Sequence, residues 1–334
     1  QPRSQSYRVN FRNDYGWSHF PIPIFPGRGQ RWPRELVIRR NTGLVRGLEW
    51  RFHNPLAFDV ARAVGVPTPE THPVAFYLNG EFRDVFALTE RIDLDFLEAH
   101  FGHRDFLLVR TKLNLEEKGS RVKEGDPLRY EEFRNWARGS RRPLAYEEAA
   151  ERIDVENLAR WFVAVAFCAT GDPWQGALVL DLRDPAARWF WIAWDMDISF
   201  IRPVTESSFH MMVFRDQLVF DSRQRLLRRL FAGSQRFRDE FAEIFVEAMN
   251  HRISDRFLDA RLAHYRGLAR EFGLEERRFL RRYQLFLGER KKPLYDHLAR
   301  HLELGEVLGV GIRAAPGRSL LVDRWETPMP YTGR

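Results

Sequence analysis

Two aspartates 23 positions apart, Asp172 and Asp195, each stand where the pattern of a regular element stops. Asp172 follows Gly171 at the end of an apolar stretch and precedes Pro173. Asp195 closes a second apolar stretch and has another acid two positions on, in Trp194-Asp195-Met196-Asp197. Between them lies a hairpin pattern: ALVLDL at 177–182, a turn at Asp184-Pro185, then RWFWIAW at 188–194. A hairpin returns the chain close to its start, so the two acids should share one rim. Carboxylates in that relation suit phosphoryl transfer, where one orients an acceptor hydroxyl and the other holds Mg²⁺ against the β- and γ-phosphates. Magnesium needs only one or two carboxylates, because phosphate oxygens and water fill the rest of its shell. The residues alone leave a plainer account open. Asp after Gly is a common turn residue, and Asp after a strand is a common helix cap.

The elements around these acids can be read from periodicity. VENLARWFVAVAFCA (155–169) is apolar nearly all round, as expected of a helix at the centre of a core. SYRVNFR (6–12) and RELVIRR (34–40) alternate as strands, with a loop rich in Pro, Gly and aromatics at 16–33 between them. NPLAFDVARAV (54–64) opens on an Asn cap with Pro in the first turn and stops at Gly65, which predicts a helix. Residues 74–92 place two β-rich runs around Asn79-Gly80, the strongest hairpin signal in the chain. A short helix at 93–101 and a strand at 106–112 follow. The polar, Arg/Glu-rich stretch 113–150 reads as a connection or insertion, and 222–304 as three or four amphipathic helices. The expected organisation is therefore α+β in two lobes: β-rich 1–112, a connection 113–150, helical 151–305, and a segment 306–334 that reads as the start of a further β-module or as a loose tail. The chain opens on Gln1, as a trimmed piece of a longer protein would.

Composition narrows the partners. With 44% hydrophobic residues in 334, the chain can bury a large core. Five lysines occur (112, 118, 123, 291 and 292), so 48 of the 53 basic residues are arginine, whose planar fork suits carboxylates and phosphates. The net charge is +7, but acids are interspersed with the arginines nearly everywhere, which argues against nucleic acid as a partner. No run of residues approaches the length of a membrane span. The single Cys168 can form no intrachain disulfide. His297 and His301 have zinc-ligand spacing, but no glutamate stands between them and no cysteine is near, so surface histidines are expected. Trp189 and Trp191 share a strand face and read as core.

The segments PVAFYLNGEF and FALTERID within 73–93, FLEAHFG (96–102) and FWIAWDMDISF (190–200) resemble the kinase-like family of spore-coat protein H. Its members carry an NGE-type hairpin and a WDxDxSF-type stretch. SYRVNFRNDYG (6–16), RELVIRRNTG (34–43), AVGVPTP (63–69) and FLGERKKPLYDHL (286–298) are similar too, in the right order, so the resemblance covers about 300 residues. It implies a divergent protein-kinase-like fold with the kinase order of loop acid, hairpin and metal acid. It also implies ATP with Mg²⁺ (or Mn²⁺), Ser/Thr of a protein acceptor, and a secreted, cell-surface or coat-associated setting. Asp172 then matches the catalytic-loop acid and Asp195 the metal acid, with Asp197 a second candidate. Glu90 matches the glutamate of the hairpin's second strand, as a nucleotide-lobe residue pairing a base or as a solvated strand glutamate. Departures are visible. No lysine precedes Lys112, so phosphate must be met by Lys112, Lys118 or Lys123, or by an arginine such as Arg110. The asparagine expected after the catalytic acid is missing, and Gln175 could offer its amide oxygen to metal instead. Two alternatives stay open: a pseudokinase acting as a structural or binding module, and a kinase-fold enzyme that moves another group such as AMP.

Overall fold

The alternating runs near the start of the chain form β1 (Tyr7–Asn10), β2 (Glu35–Arg39), β3 (Thr71–Leu78) and β4 (Glu81–Glu90). They assemble as one antiparallel sheet in the order β1-β2-β4-β3. The β3–β4 hairpin turns at Asn79 and Gly80, both at positive φ (54° and 80°), the requirement of the tight hairpin turn whose twist matches its strands. The computed structural model describes residues 6–22, 24–25, 33–40, 52–111, 120–139, 142–171, 173–201, 203–205, 222–274, 277–302, 307–308 and 311–312. The expectations placed on Asp172, Lys112, Lys118 and most of the tail lie outside these residues.

A second antiparallel sheet has the order β6-β5-β7-β8, from β5 (Phe106–Thr111), β6 (Arg121–Glu124), β7 (Gly176–Asp181) and β8 (Phe190–Ala193). The hairpin read between the two acids is thus present, with Gly176 opposite Ala193. It does not stand alone among helices: β5, from the first part of the chain, pairs along all of β7. The polar stretch read as a connection supplies β6 on the far edge and α3 (Pro127–Arg138), which packs on the later α6 (Ser222–Gly233).

Helix α1 (His53–Ala63) lies between β2 and β3, and α2 (Leu94–Phe101) between β4 and β5. After α3 come α4 (Tyr146–Ala150) and α5 (Val155–Cys168). Helix α5 is capped by Asp154, whose side chain accepts from Asn157 N at 2.8 Å, and it is buried along almost its whole length. Asn157 fastens it to the outer edge of β8: its Oδ1 accepts from Trp191 N at 2.6 Å and its Nδ2 donates to Trp191 O at 3.1 Å. At the other end, the fully buried guanidinium of Arg290 donates to the carbonyls of Ala166 and Phe167 in the helix's last turn and to that of Val204. Helices α7 (Gln235–Glu247), α8 (Asp255–Glu271), α9 (Arg277–Glu289) and α10 (Lys291–Leu302) complete the helical part.

The architecture is α+β with antiparallel sheets. Its main apolar cluster runs from Phe52 to Leu302 and takes in α1, α2, β5, β7, β8 and the helices. The buried apolar residues of the first sheet, Leu36, Val85, Phe86 and Ala87, lie outside that cluster. Core packing thus joins α1, α2 and β5 to the second sheet and the helices. Among the described residues no helix is long and apolar enough to cross a membrane.

Candidate active site between the two sheets

A cleft of about 400 Å³ opens between the sheets. The first sheet lines it with Ser6, Tyr7 and Arg8 at β1, Val37 and Arg39 on β2, and Arg91 just past β4. Across from them stand Arg110 and Thr111 at the end of β5, Gln175 before β7, and Trp194 and Asp195 after β8. Strand alternation explains much of this. Val37 and Arg39 are two apart and so share a face of β2, and Arg8 sits opposite Val37 in the register.

Asp195 adopts φ 59°, a left-handed conformation that Asp tolerates better than most residues. Its loop is tied down from several sides. Met196 N donates to Asn54 Oδ1 at 2.9 Å, from the fully buried first turn of α1. Gly171 N donates to Ile198 O at 2.8 Å, Phe200 N to Cys168 O at 2.8 Å, and the hydroxyls of Thr170 and Ser199 are 3.0 Å apart. The end of α5, from which the chain passes to Asp172, is thereby stitched to the loop that carries Asp195 and Asp197. A left-handed non-Gly residue costs of order 1–3 kcal/mol and persists only where its surroundings over-determine it. Here they do.

Asn54 corrects the sequence reading. Helix α1 begins at His53, its N-cap is Phe52, and no side chain caps it. The asparagine is spent instead on the peptide between the two acids.

The electrostatics centre on Arg39. Its Nη2 donates to Asp195 Oδ1, and to Asp197 Oδ2 at 3.2 Å. Burial works against the charged Arg39, but the two carboxylates more than offset it and hold its pKa above the ordinary value. Arg110 is shifted the other way, first by burial and then by repulsion from Arg91, Arg39 and Arg8, with Asp195 only partly opposing. Both guanidinium groups face Trp194, at 5.6 Å for Arg39 and 5.0 Å for Arg110, close enough for cation–π attraction. Arg91 pairs with Glu35. Among the described residues Arg110 makes no ion pair. Four arginines and one aspartate thus line the cleft, an arrangement complementary to a polyanion.

Of the residues singled out from the sequence, Asp195, Arg110 and Gln175 line the cleft, and Asp197 joins Asp195 on the same guanidinium. Glu90 is elsewhere. It is fully buried, accepting from Glu70 N at 2.8 Å and lying 3.1 Å from His100 Nε2, so it is not a solvated strand residue. Lys123 is exposed on β6 and does not line the cleft. Sequence reasoning missed Arg8, Arg39, Arg91 and Asn54. In a chain with arginine everywhere the type carries no signal, and only the β2 alternation could have pointed to Arg39.

The donor set fits a divalent cation in one respect. Two carboxylate oxygens from different residues converge on a single nitrogen, as they would on a point charge. Among the described residues no group of three or more His, Cys, Asp or Glu side chains forms a cation site. Magnesium does not require one.

The family model described as CotH kinase protein matches residues 5–299. No curated protein matches the chain.

Proposed function

The chain belongs to the CotH kinase protein family, and from that premise we propose that it transfers the γ-phosphoryl group of ATP to a Ser or Thr hydroxyl of a protein acceptor. The observation that carries the reading is the cleft itself, with four guanidinium groups facing Asp195 and Asp197 alongside. Catalysis of phosphoryl transfer is mostly positioning and charge stabilisation, with little covalent work for the protein. Arg8, Arg39, Arg91 and Arg110 would bind the polyphosphate, and Trp194 holds two of them in place. Asp195 and Asp197 would hold Mg²⁺ or Mn²⁺, which when bound neutralises charge on the phosphate oxygens. Gln175 stands at the cleft wall. By the family resemblance, Asp172 orients the acceptor hydroxyl and takes its proton as the new phosphate–oxygen bond forms and ADP leaves. The acceptor, in the same reading, is a secreted, cell-surface or coat protein.

The ion pairs of Arg39 favour a second reading, a pseudokinase that binds nucleotide without turnover, because both carboxylates already have a counter-ion. Incubation with γ-labelled ATP, Mg²⁺ or Mn²⁺ and a Ser/Thr-bearing acceptor separates the two. Label on the acceptor, with an intact-mass shift of phosphate and not AMP, is expected. Nucleotide binding without any transfer would leave the pseudokinase.

A further inference from the structure

The way Arg39 is held is unusual for an arginine. A guanidinium ordinarily meets carboxylates through two parallel bonds from two nitrogens. Here Nη2 alone takes both Asp195 and Asp197, while Nη1 is buried with no hydrogen-bond partner among the described residues. The carboxylates are spaced for a compact charge, and the arginine fills the place imperfectly. A buried donor without an acceptor is a standing penalty, relieved whenever an acceptor arrives. The cleft that Arg39 lines is where a phosphate oxygen would come.

We propose that Arg39 is the resident counter-ion of the Asp195–Asp197 pair, and that it couples cation binding to polyphosphate binding by moving from carboxylate to phosphate. The inference rests on the kinase-like reading of the cleft. Without nucleotide, a divalent cation entering beside Asp195 would meet the Arg39 charge in place and Arg110 across the same tryptophan. Like charges so close repel. A polyphosphate changes the balance twice: it compensates the arginines, and it offers Nη1 and Nη2 new acceptors. Asp195 then turns from the guanidinium to the cation, with Asp197 beside it. Binding linkage is reciprocal, so the cation must tighten the polyphosphate by the factor by which the polyphosphate tightens the cation.

The test is a Mn²⁺ titration of the nucleotide-free protein followed by electron paramagnetic resonance. Removing the charge with Arg39→Gln should tighten Mn²⁺ binding by about tenfold or more, within the usual range of such couplings. Arg39→Lys, which keeps a cation there, should stay near wild type. Adding Asp195→Asn to Arg39→Gln should erase the gain. Mn²⁺ binding no tighter in a folded Arg39→Gln protein than in wild type overturns the proposal. Wild type gives a second readout that does not depend on any variant folding. Calorimetric affinity for a non-hydrolysable ATP analogue should rise with Mn²⁺, and equal affinity with and without it also overturns the proposal. Phosphate transfer by wild type with no Arg39→Gln effect would sink the coupling and leave the kinase reading. A clear Arg39→Gln gain in a protein that transfers no phosphate would do the reverse.

Discussion

The two walls of the cleft are built differently. The second-sheet wall grows out of the main core. Trp161, Trp174 and Trp191 pack together beneath it, with ring centroids 5.3 and 6.4 Å apart from Trp161, and Asn157 locks α5 to β8. The first-sheet wall presents arginines from strands whose buried apolar residues lie outside that core. One wall fixes acids to within the tolerance of a packed interior, and the other brings cations on a separate sheet. The ion pairs of Arg39 span the gap directly. The difference teaches that the acids are the fixed element of this site and the arginines the adjustable one.

The largest effect should come from the acid side. Asp172→Asn should lower phosphate transfer by about a thousandfold, within the range for losing a positioned acid–base group, while nucleotide affinity stays near wild type. Single-turnover kinetics with a binding measurement checks both halves, and unchanged transfer would remove Asp172 from its role. Next, Arg290→Met should destabilise the fold by about 3 kcal/mol, since it strips the guanidinium's donors from the carbonyls of Ala166, Phe167 and Val204. Denaturant unfolding measures it, and a loss well under 1 kcal/mol would show that the acid wall does not depend on this cap.

Asn54→Ala is a sharper probe, because it leaves both carboxylates in place. It should cost about 1–2 kcal/mol of stability through the orphaned Met196 N–H. It should also weaken Mn²⁺–nucleotide binding by about tenfold, whereas Asn54→Asp, which keeps the acceptor, should recover part of the loss. A stability loss with unchanged cation affinity would mean that Asn54 supports the fold and not the loop geometry. The smallest effects belong to the arginine wall. Arg8 is exposed and Arg110 half-buried against Trp194, so Arg110→Ala should weaken nucleotide binding by about tenfold and Arg8→Ala by only two- to threefold, the latter vanishing in high salt. Equal effects would break the comparison.

The same contrast governs what could be read from residues alone. The hairpins, α5 and the acid loop were legible because Asn79-Gly80, the apolar run 155–169 and Trp194-Asp195 are local signals. The pairing of β5 with β7 was not, since it joins strands far apart in sequence. The burial of Glu90 was hidden for a related reason. Its partners, Glu70 N and His100, lie ten or more residues away on a strand lead-in and a helix. Asn54 was read as a cap because its local setting permits one, and its use by Met196, far along the chain, is a tertiary choice. The arginines of the first sheet were invisible against 48 of their kind.

The central claim is that Asp195 holds the cation that accompanies a nucleotide bound by the arginine wall. Calorimetric titration of wild type and Asp195→Asn with ATP, in Mg²⁺ and again in EDTA, tests it most directly. Asp195 ends a strand loop and is part-exposed, so the substitution should leave the fold intact. The account predicts that Mg²⁺ strengthens ATP binding to wild type, and that Asp195→Asn loses this enhancement without losing metal-free affinity. An Asp195→Asn protein that still binds ATP more tightly in Mg²⁺, to the same degree as wild type, would contradict it.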